Sequence, residues 1–119
     1  MAGGRIISLP WPDSRLSPNA RTHWRAKAKV AKTARTAAFY LVRSACVEAP
    51  GEGVVHLSIT FFPPDRRGRD MDNAIASMKP HLDGLADALK VNDNRFRLTF
   101  AWGDLAKPGH VEITIGGAE

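Results

Sequence analysis

Hydrophobic and polar residues alternate most regularly between Val54 and Phe62, where Val55, Leu57, Ile59 and Phe61 are separated by His56, Ser58 and Thr60. A period of two belongs to a strand with one buried face. Pro63-Pro64 ends it, because proline lacks the donor a ladder needs. Arg5 to Leu9 reads as a shorter strand, closed by Pro10-Trp11-Pro12. Two more strands are predicted over about Arg95–Trp102 and His110–Ile115, joined by a turn at Lys107-Pro108-Gly109.

Two other segments carry a helical period. The first runs from about Arg21 or Thr22 to about Val47 and is rich in Ala, Lys and Arg, with Asn19 or Thr22 placed to cap it. Trp24, Ala28, Ala31, Ala38, Leu41 and Ala45 recur at steps of three, four and seven and are expected to face the core. Arg21, Arg25, Lys29, Lys32, Thr36 and Arg43 follow the same period on another face. The second helix is predicted from about Met71 to Leu89, with Met71, Ile75, Met78, Leu82, Leu85 and Leu89 along one side. Pro80 removes a hydrogen bond and crowds the Ala76 carbonyl, so a kink is expected near residues 76–80, loosened further by Gly84. The order β-α-β-α-β-β predicts one α+β domain over residues 1–119, a small mixed sheet with two helices packed against it.

Composition narrows the class. A chain of 119 residues with 44% hydrophobic and 24% charged residues is long enough to bury a core without staples. The single cysteine, Cys46, excludes an internal disulfide, and its neighbours Leu41, Val42, Ala45 and Val47 predict a buried, inert thiol. No secretory or membrane-spanning pattern is visible, so the expected setting is cytoplasmic, away from membranes. Charge is unevenly spread. Residues 1–47 hold nine Lys/Arg and one acid, a net +8, whereas residues 48–119 hold eight and eleven, a net −3. A basic half beside an acidic cluster suits a protein that grips a polyanion with one part and holds a metal with the other. An acidic protein partner would suit the basic half equally.

The chemistry concentrates in Arg66-Arg67-Gly68-Arg69-Asp70-Met71-Asp72-Asn73. In an extended segment residues i and i+2 point to one side, so Asp70 and Asp72 would converge. Converging carboxylates repel unless a cation separates them, and Mg²⁺ takes such hard oxygen ligands together with substrate phosphates. The arginines beside them suit phosphate, although an Arg/Asp-rich loop is also an ordinary solvated connection. Asp93 lies just past the second helix and would join the pair if the chain folds back. Lys79 shares a helix face with Asp72 and Asp83; it either reaches a phosphate on the metal or pairs with Asp83. His23, His56, His81 and His110 show no metal spacing and read as surface or structural.

Asp70-Met71-Asp72-Asn73, Lys79-Pro80-His81-Leu82-Asp83-Gly84-Leu85 and Asn92-Asp93 resemble the RusA family of Holliday-junction resolvases of phages and prophages. Leu9-Pro10-Trp11-Pro12 and Ser17-Pro18-Asn19 are similar to that family's N-terminal segment. The resemblance covers nearly the whole chain. It implies a homodimeric, Mg²⁺-dependent endonuclease, with Mn²⁺ as a substitute, that cuts four-way DNA junctions. Asp70, Asp72 and Asp93 would be its metal-binding catalytic acids and Lys79 its catalytic cation. Arg66, Arg67, Arg69, Asn19, Arg21, Arg25, Lys29 and Lys32 would contact DNA. The chain departs from the pattern in two places: Ala76 stands where the family has a lysine, and Asn92 where it has the first of two acids. A non-catalytic binder of branched DNA and a metal-dependent hydrolase of small phosphate compounds remain as alternatives.

Overall fold

The computed structural model describes residues 5–116. Strand β1 (Arg5–Pro10) leads through a 3₁₀ turn at Ser14–Leu16 into helix α1 (Trp24–Ser44). Strand β2 (Val55–Phe62) is followed by two short helices, α2 (Met71–Ser77) and α3 (Lys79–Leu89). A second 3₁₀ turn at Asp93–Arg95 enters strand β3 (Phe96–Trp102), and strand β4 (His110–Ile115) follows. The fold is α+β, a four-stranded mixed sheet with three helices.

The strands lie in the order β1-β4-β2-β3. β4 is antiparallel to both β1 and β2, while β2 and β3 run parallel. Parallel neighbours need a long crossover, and α2 with α3 supplies it. The register aligns one apolar row across the sheet: Ile7 opposite Ile113, Ile113 opposite Ile59, and Ile59 opposite Phe100. The alternation in β2 appears directly as burial, with Val55, Leu57, Ile59 and Phe61 buried and His56 and Ser58 exposed. Met78, Leu82, Leu85 and Leu89 of the crossover and Ala38 and Val42 of α1 cover this face. The helices therefore share one side of the sheet, and the other meets solvent.

Several sequence expectations shift. α1 begins at Trp24, and His23 caps it through a 3.1 Å bond from the Arg25 N–H to Nδ1, in place of Asn19 or Thr22. Its inward face is centred on Ala38 and Val42, so Trp24 (68% exposed), Ala28 and Leu41 face out. An alanine-rich helix with few large apolar side chains offers little to fix its phase. The expected kink is a complete break at Met78, after which Pro80 occupies the first turn of α3, where its missing N–H has no helical partner to lose. Cys46 is exposed, because the chain turns there at φ 53° as it leaves α1.

Gly84 tightens the structure where loosening was expected. A Cβ at this position would press into the Arg35 carbonyl and lie 3.0 Å from the Ala38 Cβ. The absent side chain lets α1 and α3 approach backbone to backbone, and Arg35 clasps Asp87 one turn further on at 2.7 and 2.9 Å.

Gly84→Ala should destabilise the protein by about 2–3 kcal/mol, as overpacking does, read as a lower urea midpoint at unchanged slope. Lys90 ends α3 in the left-handed region at φ 56°. Lys90→Gly should relieve that conformation and stabilise by about 0.5–1 kcal/mol in the same unfolding experiment.

Candidate active site

Asp70 stands at the N-cap of α2 with extended backbone (φ −84°, ψ 133°), yet its side chain caps no helix N–H. Asp72 lies in the first turn, where a carboxylate complements the helix dipole. Both are exposed. The extended i, i+2 geometry expected of them ends at Met71, where the helix begins, and residues two apart on a helix diverge. Asp70 faces a cleft toward Trp11, and Asp72 is not among that cleft's lining residues.

Asp93 folds back to Lys79, and no contact joins it to Asp70 or Asp72 among the described residues. It opens the 3₁₀ turn before β3, and its Oδ2 lies 3.0 Å from Lys79 Nζ. Lys79 is also 2.8 Å from Asp83 Oδ1, so one ammonium bridges two carboxylates beside the α2–α3 break. Of the two readings of Lys79, the pair with Asp83 is present, and its second partner is Asp93. The two carboxylates, Asp83 first, raise the Lys79 pKa above its ordinary value. It is therefore a permanent cation near neutrality and unsuited to act as a base. Asp87, one turn beyond Asp83, pairs with Arg35.

The donor types suit a hard divalent cation. Among the described residues no hydrogen bond engages the Asp70 or Asp72 carboxylate, which leaves both free to bind one. Asp93 is shared with Lys79 and would join only by exchanging that partner. Among the described residues no three His, Cys, Asp or Glu side chains gather closely enough to hold a metal ion.

The arginines divide into two kinds. Arg66 and Arg67 are exposed at the loop tip. Arg69 turns inward: it bonds the Asp65 and Arg67 carbonyls at 3.2 and 3.0 Å, pairs with the Asp65 carboxylate at 2.9 Å, and stacks 5.2 Å over the Trp11 ring. It braces the loop against the segment after β1. The Arg67 N–H, bonded to Asp65 Oδ1, holds the Asp65 carboxyl below its usual pKa, helped by Arg69. Arg25, Lys29 and Lys32 are exposed on α1, and Asn19 and Arg21 are exposed on the approach to it.

The sequence reading missed two features. Trp24, assigned to the core, is an exposed aromatic beside the basic face, with the Arg25 guanidinium 5.2 Å over its ring and His23 stacked at 5.7 Å. Its position one residue from Arg25 was the available signal. His81 is buried at the edge of a second cavity, of about 410 Å³, between α1 and the segment after β1. Its Nδ1 has no hydrogen-bond partner among the described residues. Burial pushes its pKa down, offset in part by the Ser77 and Met78 carbonyls, so the ring is neutral near pH 7.

No family model matches the chain. An uncharacterized protein of Xylella fastidiosa is 43% identical over 115 residues, a match spanning 93% of this chain and 75% of that protein. The chain belongs to the same family as that protein.

Asp13, which borders both cavities, is held by Arg15 through its side chain at 3.0 and 2.8 Å and its N–H at 2.9 Å. These bonds lower its pKa from 3.8 to about 2. A depressed carboxyl contributes order that is complete above the unfolded value and lost as pH falls through the folded one. An NMR titration should place the Asp13 midpoint near pH 2, and Arg15→Ala should return it toward 3.8.

Proposed function

We propose that this protein is a Mg²⁺-dependent endonuclease that resolves four-way DNA junctions, working as a homodimer. The observation that carries the reading is the return of the chain across fourteen residues, so that Asp93 meets Lys79 beside the helix break. That return brings Asp93, the third acid of the resemblance, to the start of α3, the helix that follows the one Asp70 and Asp72 open. The resemblance of these motifs to the RusA family supplies the substrate class.

Asp70, Asp72 and Asp93 would hold the cation, with Mn²⁺ as a substitute for Mg²⁺. When bound, such an ion lowers the pKa of a coordinated water and offsets charge on the scissile phosphate. Lys79, protonated near neutrality, would exchange its Asp93 partner for a phosphate oxygen and offset charge there. Arg66 and Arg67 would bind phosphates flanking the cut, and Arg21, Arg25, Lys29 and Lys32 a neighbouring arm, with Asn19 donating beside them. Arg69, held by Asp65 and Trp11, braces this surface from the edge of the cleft beside Asp70. Contacts of this kind position DNA without reading its sequence and weaken steeply with salt.

A second copy has a surface to cover. β3 is an edge strand, and Leu98 and Trp102 on its helix-side face are each 41% exposed beside exposed Leu105. A two-fold pairing there would match the symmetry of an open junction. A second reading, a binder of branched DNA without catalysis, is favoured by Ala76 and Asn92 and by the lack of a gathered three-ligand cluster among the described residues.

A labelled four-way junction and a linear duplex, each with Mg²⁺ or EDTA, test the proposal. The wild-type protein should nick opposing strands of the junction alone, in Mg²⁺ alone. Asp72→Asn should lower the rate about a hundredfold or more while leaving junction binding intact. Tight binding by both proteins with no cleavage under any divalent metal would overturn the enzyme and leave the binder.

A further inference from the structure

Beside Asp70 lies a cleft of about 330 Å³, walled on one side by the segment after β1 and on the other by the loop before α2 and by α2 itself. Trp11 forms its aromatic wall, held edge-on by Phe61 at 6.2 Å and covered by the Arg69 guanidinium at 5.2 Å. Ser14 and Ser17 line one rim and Asn73 the other. The Ser14 hydroxyl and the Asn73 carboxamide enter no hydrogen bond among the described residues. The cleft thus offers an aromatic surface and unspent donors and acceptors.

Its charges select the ligand. Arg69 is neutralised by Asp65, and Asp13 by Arg15. The remaining charge at the cleft is the Asp70 carboxylate, which would repel a phosphate placed inside. A neutral planar group with a hydrogen-bonding edge suits the interior, attached to something that a cation on Asp70 can hold at the mouth. A nucleobase beside a backbone phosphate has this composition. Aromatic side chains and guanidinium planes stack on unpaired bases, and a carboxamide both donates to and accepts from a base edge.

We infer that this cleft receives one unstacked nucleobase adjoining the scissile phosphate, stacked against Trp11 and read at its edge by Asn73 and Ser14. The inference rests on the nuclease reading and extends it: the arginines and α1 supply position, and this cleft supplies preference for a base at the cut. Trp11, Ser14 and Asn73 are positioning and selecting residues. Unstacking a base costs a few kcal/mol in a regular duplex, and a branch point, where the run of stacked pairs is interrupted, is the place on the substrate where that cost is reduced.

The test is binding to junctions in which single nucleotides around the crossover are replaced one at a time by abasic sugars, measured in Ca²⁺, a hard cation for the same carboxylates, with uncut substrate verified on a gel. Removing the received base should weaken wild-type binding about tenfold. The same replacement should leave Trp11→Ala unaffected, since that variant has already lost the stacking. Because Trp11 packs on Phe61, Asn73→Ala serves as a second variant with its fold checked by circular dichroism. Its affinity should no longer distinguish which base stands at the sensitive position, whereas wild type prefers one. Equal loss in wild type and both variants, or no sensitive position in a junction that binds, would overturn the cleft assignment and leave the nuclease reading standing. Failure of the intact wild-type protein to bind any junction would overturn both.

Discussion

Where α1 crosses α3, the Cα of Gly84 lies so close to the Arg35 carbonyl that no side chain fits between them, and Ala38 fills the space alongside. Close-packed interiors do not yield gradually to such a contact, so the two helix axes are set relative to each other. The Arg35–Asp87 pair fastens the same crossing at its exposed edge. With α1 and α3 joined as one slab, their apolar faces cover Val55 to Phe61 and Val111 to Ile115. α2 stands outside that crossing. It is joined to α3 by the break at Met78, whose side chain is wholly buried and pins the joint to the core. The acids at the start of α2 and the lysine at the start of α3 are therefore carried on separate rods with a fixed hinge point.

Much of this was legible in the sequence where large side chains set the pattern. The period of two in β2, and the spacing of Met78, Leu82, Leu85 and Leu89, gave strand and helix faces that the burial reproduces. Where the pattern rested on alanine it misled. Ala28, Ala31 and Ala38 lie within steps that several helix faces can claim, and Val42, a better guide than Leu41, was outvoted by Trp24. Gly84 looked like a weakness because its helix was considered alone. Its role comes from Arg35 and Ala38, which are distant in sequence.

The candidate site was legible in its chemistry and less so in its geometry. Residue types alone drew Asp70, Asp72, Lys79 and Asp93 together, and the fold does bring Lys79 to Asp93. The expected convergence of Asp70 and Asp72 depended on extended backbone, and the helix starts one residue too early for it. The three loop arginines were equivalent as letters. Asp65 and Trp11, one before the run and one far upstream, turn Arg69 into a brace and leave Arg66 and Arg67 outward. A brace of this kind depends on two contacts across the fold, which no local pattern carries.

The strand order has a temporal consequence. β1 touches the sheet only through β4, with Arg5 opposite Ile115 and Leu9 opposite Val111. β4 is the last strand in chain order, so β1 gains its sheet partner after α1, α3, β2 and β3 have been made. The segment carrying Trp11 to Ser17, one whole wall of the cleft beside Asp70, is held meanwhile by Phe61, Arg69 and Lys27. The wall of the cleft thus takes its strand anchor after the acids and the arginines that face it.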